Sequence, residues 1–190
     1  MQTLILVKHS LPEIVAGLPA CEWRLSDAGR DRCKALAERV APHRSTRLVA
    51  SREPKAYETA EQVATHLNLP LTAEDDLHEH IRREVGLLRP EEFEAAVARF
   101  FAHPEDLVFG SETADQAHRR FAQALSRILA RDGNETVAVV THGRVLTLFV
   151  TRALGLDPVT FWKRLGLPSF VVMAWPHPRL LSLVDRVESA

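Results

Sequence analysis

Apolar and polar positions fall into blocks of two kinds along this chain. Leu4-Ile5-Leu6-Val7 and Val137-Ala138-Val139-Val140 are unbroken apolar runs, the pattern of short strands buried on both faces. Each run stops at a histidine within two residues, His9 and His142. Between them the spacing turns helical. Ser26-Asp27-Ala28-Gly29 starts a helix carried by Cys33, Leu36, Ala37 and Val40 and closed by Pro42. Arg47 to Ala50 predicts a second strand, and Pro54 starts a helix with Ala56, Ala60, Val63, Ala64 and Leu67 on one side. Leu69 to Thr72 predicts a short strand.

From Asp75 to Arg89 no period is visible, and charge and histidine are dense. Pro90 opens a helix to Phe101, a loop with Pro104 and Gly110 follows, and a further helix spans Thr113 to Ala130. Gly133-Asn134 reads as a turn and Val145 to Leu154 as a helix with Gly155 at its C-cap. Phe170 to Trp175 and Leu180 to Val184 read as a terminal hairpin. Strands alternating with helices predict the α/β class, a three-layer α/β/α sandwich around a mostly parallel sheet. The expectation is one domain over residues 1–190, with an insertion at about 75–110 above the sheet edge, where such segments shape pockets.

With 190 residues, 46% hydrophobic and 26% charged, the composition is that of a soluble globular domain. A net charge of −1 argues against nucleic acid or an anionic membrane as partner. Cys21 and Cys33 provide neither a disulfide framework nor zinc-type spacing. No segment has the apolar length of a membrane span, and the first strand begins at once, so a cytoplasmic location is the default expectation. Oligomeric state stays open; the terminal hairpin offers an edge for pairing.

Open α/β sheets build their sites at the carboxyl ends of strands. Four segments converge there: Lys8-His9-Ser10, Ser51 to Ala60 with Lys55, Leu77-His78-Glu79-His80, and Thr141-His142-Gly143 ahead of a helix N-terminus. Two imidazoles, two ammonium groups and helix amides suit a phosphoryl group. A neutral imidazole can attack phosphorus, and a second, if protonated, can hold an oxygen beside the lysines. Glu79 is the natural acid for the departing alkoxide.

The ordered set resembles the histidine phosphatases, or phosphoglycerate mutase-like superfamily. Lys8-His9-Ser10 stands at the family's Arg-His-Gly, Leu25 to Gly29 at its Leu-Thr-x-x-Gly, and Ser51 with Lys55 to Ala60 at its Ser…Arg-Ala-x-x-Thr-Ala. Leu77-His78-Glu79 matches its acid segment, Gly110-Ser111-Glu112-Thr113 echoes its Gly-Glu-Ser, and Thr141-His142-Gly143 matches its second histidine motif. The resemblance implies His9 as the phosphorylated nucleophile, His142 as stabiliser of the transferring group, Glu79 as proton donor and Lys8 and Lys55 as the phosphate clamp. Ser10, Ser51 and Gly143 join them as expected phosphate-binding positions. It implies a metal-independent phosphatase, without cofactor, acting on a small phosphorylated metabolite. Both family arginines are lysines here and the glycine is Ser10. Lysine keeps the charge but loses the bidentate grip of a guanidinium.

Competing readings are a catalytically weak phosphate-binding protein on the same fold, a mutase, and a metal-dependent hydrolase using His78 and His80. For those two histidines pocket lining or surface is the expected role. Arg52, Arg82, Arg83 and Arg144 read as solvated, with any one able to restore a guanidinium contact. Arg82, Arg83, Arg89 and His103 in the insertion hint at an acidic substrate tail. Glu112 reads as a helix-start charge, and Trp23, Trp162 and Trp175 as core or rim packing.

Overall fold

A computed structural model describes residues 2–82, 86–131, 133 and 135–189. Arg83 and Glu84 of the charged stretch, and Asn134 of the expected turn, lie outside the described residues. Strands β1 (Gln2–Lys8), β2 (Arg47–Ser51), β3 (Leu71–Glu74), β4 (Val137–Thr141), β5 (Ser169–Trp175) and β6 (Arg179–Val184) form one sheet in the order β3-β2-β4-β1-β5-β6. The first four run parallel to their neighbours, and the terminal hairpin adds β5 antiparallel to β1.

The apolar runs are continuous because the sheet is covered twice. Leu4, Leu6, Val137 and Val139 face one cluster, with α3 (Pro90–Ala102), α4 (Ala114–Arg131), α5 (Gly143–Leu154) and α6 (Pro158–Arg164). Ile5, Val7, Ala138 and Val140 face the other, with α1 (Asp27–Val40) and α2 (Pro54–Leu67). Alternate residues of one strand therefore serve opposite cores. These layers give the expected α/β/α sandwich.

Two elements differ from the sequence reading. β3 lies at Leu71–Glu74 because its pairing with β2 sets Leu71 opposite Leu48; Leu69 and Pro70 form the approach. The short helix α6 was not expected, although its signals are present: Asp157 accepts from the Thr160 amide and Pro158 takes the first position.

Register places the chemistry. Lys8 pairs with Thr141 and Ala50 with Val140, so His9, Ser51 and His142 leave neighbouring strands at the same edge. The His9 amide donates to the Thr141 carbonyl at 3.0 Å, one step beyond the ladder. Behind it, Gly29 of α1 packs so closely on the following loop that a Cβ would sit 2.0 Å from the Leu11 carbonyl oxygen. No residue with a side chain fits there, which is the physical content of the Leu-Ser-Asp-Ala-Gly segment. Ser26 secures the same contact, accepting from the Gly29 amide and donating to Leu11.

Candidate active site

His9 is buried, 7% exposed. Its Nδ1 lies 2.7 Å from the carbonyl oxygen of Ser10. A carbonyl only accepts, so Nδ1 carries the hydrogen and Nε2 keeps its lone pair. Burial, then the neighbouring His142 and Lys55, push the His9 pKa well below its ordinary value. The ring is therefore neutral at pH 7, the state a nucleophile needs.

The His142 ring stands edge-on to His9, centroids 5.2 Å apart. Its Nε2 meets the Ser51 hydroxyl at 2.9 Å, and that oxygen accepts from the Glu53 amide at 3.3 Å. With Ser51 donating to Nε2, the neutral ring carries its hydrogen on Nδ1. That Nδ1 is buried without a hydrogen-bond partner. Burial and the Lys55 charge also hold His142 well below its usual pKa, so the condition of a protonated second imidazole is not met in this arrangement. As a neutral donor it can still hold an oxyanion.

Two further expectations are corrected. The Ser10 hydroxyl donates to the Gly29 carbonyl at 2.7 Å, and its amide donates to Thr59 Oγ1 at 2.9 Å. Ser10 is wholly buried and fastens the loop to α1 and α2, so it is not available to a phosphoryl oxygen. Ser51, equally buried, orients His142 instead of touching a phosphate.

Lys8, His9, Lys55, His78, Glu79 and Gly143 line one cavity of about 570 Å³. The Lys8 Nζ donates to the Leu165 carbonyl at 2.6 Å, and burial lowers its pKa to about 8. Gly143 makes room for that arm, since a Cβ would come 3.1 Å from Lys8 Cε. Lys55 reaches the Ala20 carbonyl at 2.6 Å and the Glu53 carboxylate at 2.5 Å. Glu53, absent from the sequence reading, also accepts from the Glu79 amide at 2.9 Å.

Glu79 caps α5. Its Oε2 accepts from the Arg144 amide at 3.0 Å and its Oε1 from the Val145 amide at 3.2 Å and the His80 amide at 3.0 Å. Burial alone would raise its pKa, but the Arg144 charge and these amides hold it far below the usual carboxylate range. The expected proton donor is thus ionised in this arrangement.

The segment carrying it is tied down by Arg120, which the sequence left unremarked, together with Glu112 and His80. Arg120 of α4 donates to the carbonyls of Asp76 at 2.8 Å and His78 at 3.0 Å and pairs with Glu112 at 2.6 Å. Glu112 in turn accepts from the Ile81 amide at 3.0 Å. Two residues before the start of α4, this charge is buried and acts as a fastener. His80 packs against Phe100 and Phe109, with Nε2 at 2.9 Å from the Glu112 carbonyl. Among the described residues no group of three or more His, Cys, Asp or Glu is placed to hold a metal ion.

Arg144 also departs from expectation. It is 4% exposed and lines the cavity with Arg82 and Phe93. Arg52 sits at the rim, paired with Asp75 at 2.6 Å in the solvated manner expected. Trp23 and Trp162 line the cavity, and Trp175 packs on Phe149.

The sequence profile of the histidine phosphatase superfamily (branch 1) matches residues 13–180. The chain belongs to this superfamily. Phosphoglycerate mutase-like protein 4 of Arabidopsis thaliana is 31% identical over 139 residues, 68% of this chain and 60% of that protein. Phosphoserine phosphatase 1 of Hydrogenobacter thermophilus is 27% identical over 175 residues, 86% and 81% of the two chains. The crystal structure of the Entamoeba histolytica phosphoserine phosphatase with 3-phosphoglyceric acid superposes with a TM-score of 0.78 at 19% identity, covering 97% of each chain. That likeness carries the fold. No helix among the described residues is long and apolar enough to cross a membrane.

Proposed function

We propose that this protein hydrolyses a small phosphorylated metabolite through a phosphohistidine on His9. The observation that carries the reading is the His9 ring itself: neutral, fixed through Nδ1 to Ser10, and set against His142 in a cavity with two lysines. The Nε2 lone pair attacks phosphorus and the bond to the ester oxygen breaks. Lys8, Lys55 and the Nδ1 hydrogen of His142 hold the equatorial oxygens as charge spreads over them.

The departing alkoxide needs a proton. Glu79 is ionised, so the proton comes with the substrate: a phosphomonoester has its second pKa at about 6 and arrives partly as the monoanion. Entry of the anionic ester beside the carboxylate raises the proton affinity of Glu79, because two like charges there cannot both stay ionised cheaply; Glu79 then takes that proton and passes it to the leaving oxygen. Ionised again, it removes a proton from water, which attacks the phosphohistidine; the P–N bond breaks, neutral His9 is restored, and the proton leaves Glu79 with the inorganic phosphate. Relatives named as phosphoserine phosphatases support hydrolysis as the outcome, and the family chemistry supplies its charge from side chains without a metal.

Turnover of an aryl phosphate from pH 5 to 8, with chelator present, tests this directly. Activity in the wild type and its loss in His9→Ala is the expected result. Comparable rates in the two proteins would overturn the assignment. Phosphate binding without turnover would support a binding protein instead.

A further inference from the structure

A lysine carries its charge on a flexible stem and has no fixed fork to orient a phosphoryl group. Lys8 is oriented from outside. Its Nζ donates to the Leu165 carbonyl at 2.6 Å, at the C-cap of α6, where carbonyl groups lack helical partners. One of the three ammonium hydrogens is thereby fixed, and two stay free for phosphoryl oxygens. The place of the ammonium then depends on residues 165–168, the loop between α6 and β5.

Two distant parts of the chain hold that loop. From the segment after β6, the Asp185 carbonyl accepts from the Gly166 amide at 2.7 Å, and the Val187 amide donates to the Pro168 carbonyl at 2.8 Å. The Asp185 carboxylate also accepts two hydrogen bonds from Arg164, at 3.1 and 3.0 Å. The Arg186 side chain lies across Gly166, where a Cβ would come 2.7 Å from its Nε. From α1, Arg32 donates to the Leu167 carbonyl at 2.6 Å and pairs with Glu188 at 2.7 Å. One guanidinium thus joins the helix, the loop and the segment after β6. Leu167 lines the cavity, so the same fastening reaches the cavity wall.

The charges around Lys8 follow the same arrangement. Burial is the chief influence lowering its pKa; Glu79 favours the charge, and Arg144 and Arg186 oppose it. Arg186 therefore bears on Lys8 twice, by packing on Gly166 and by its charge. Neither Arg32 nor Arg186 lines the cavity.

We infer that Arg32 and Arg186 are positioning residues for the phosphate clamp, setting the Lys8 ammonium through the 165–168 loop. The inference rests on the phosphohydrolase reading, in which Lys8 holds a phosphoryl oxygen. Orientation that a guanidinium carries in itself is supplied here by the loop beneath the lysine.

Calorimetric binding of inorganic phosphate at pH 7 tests this in a double-mutant cycle. Arg32→Gln is expected to weaken binding about 3- to 30-fold, and Lys8→Gln by at least as much. The double variant is expected to bind no more weakly than Lys8→Gln alone, because Arg32 acts through Lys8. Losses that multiply in the double variant would overturn the inference. NMR titration of isotope-labelled lysine adds a readout that a purely structural role would not move. In Arg186→Gln the Lys8 midpoint is expected to rise from about 8 by about half a pH unit or more; an unmoved midpoint overturns the role of Arg186. That side chain is 63% exposed, so this arm stands should Arg32→Gln fail to fold. Absence of phosphate binding to the wild type overturns the clamp reading itself. Binding lost in Lys8→Gln and kept in Arg32→Gln overturns only the positioning.

Discussion

Oε2 of Glu53 lies 2.5 Å from Nζ of Lys55 and 3.7 Å from Nδ1 of His142. The two groups assigned to hold a phosphoryl oxygen thus already face a carboxylate. Like charges about 4 Å apart repel by roughly 4 kcal/mol at an effective dielectric of about 20, so an arriving anion must push Glu53 aside. Glu53→Gln is expected to tighten competitive inhibition by vanadate about 10-fold or more at pH 7. A weaker inhibitor constant in the variant would show that Glu53 orients Lys55 and does not compete with the anion.

Lys8 sets an alkaline limit. Burial lowers its pKa to about 8, so its charge is present below that pH and lost above it. Because a bound anion restores the charge, kcat/KM falls before kcat does. In Lys8→Arg the group stays charged throughout, and the alkaline limb is expected to move up by more than about one pH unit. Identical profiles for the two proteins would remove Lys8 from the clamp.

The two serines are expected to separate. Ser10→Ala loses one buried hydrogen bond to Gly29, lowering stability by about 1 kcal/mol with little change in kcat. Ser51→Ala frees the His142 ring and is expected to lower kcat about 10-fold or more with a smaller effect on stability. Denaturant melts and steady-state kinetics on both variants check this, and a reversed pattern would contradict the corrected roles.

Gly29→Ala brings a Cβ against the Leu11 carbonyl. Backbone must move, and a loss of about 1–3 kcal/mol is expected, read as a lower denaturation midpoint. An unchanged midpoint would mean that the α1 start tolerates a side chain.

The strands and the histidine pair were legible because β1 and β4 are central and bury both faces, which leaves continuous apolar runs in the sequence. Lys8, Lys55 and Glu79 were legible through the ordered motifs. Hydroxyl directions were not: Ser10 points at Gly29, a partner that only the packing of α1 against the loop brings near. Arg144 looked solvated because the wall that buries it comes from α3 and the loop after it, through Phe93 and Phe109. Neighbours so distant in the chain leave no periodic trace. Glu53 sits two residues from Lys55 in sequence, yet its turn toward the cavity depends on the Glu79 amide. The α6 start, by contrast, had readable signals in Asp157-Pro158.

Arg120 fastens the cavity wall through the Asp76, His78 and Glu79 carbonyls and Glu112, whereas the histidine pair hangs on the central strands. The histidine pair and the wall that carries Glu79 are therefore anchored to different parts of the molecule. A lineage can recut the wall beyond Glu79, lengthening or shortening it around one guanidinium clip, and leave the histidine pair in place. New substrates become reachable by changes that never disturb the sheet.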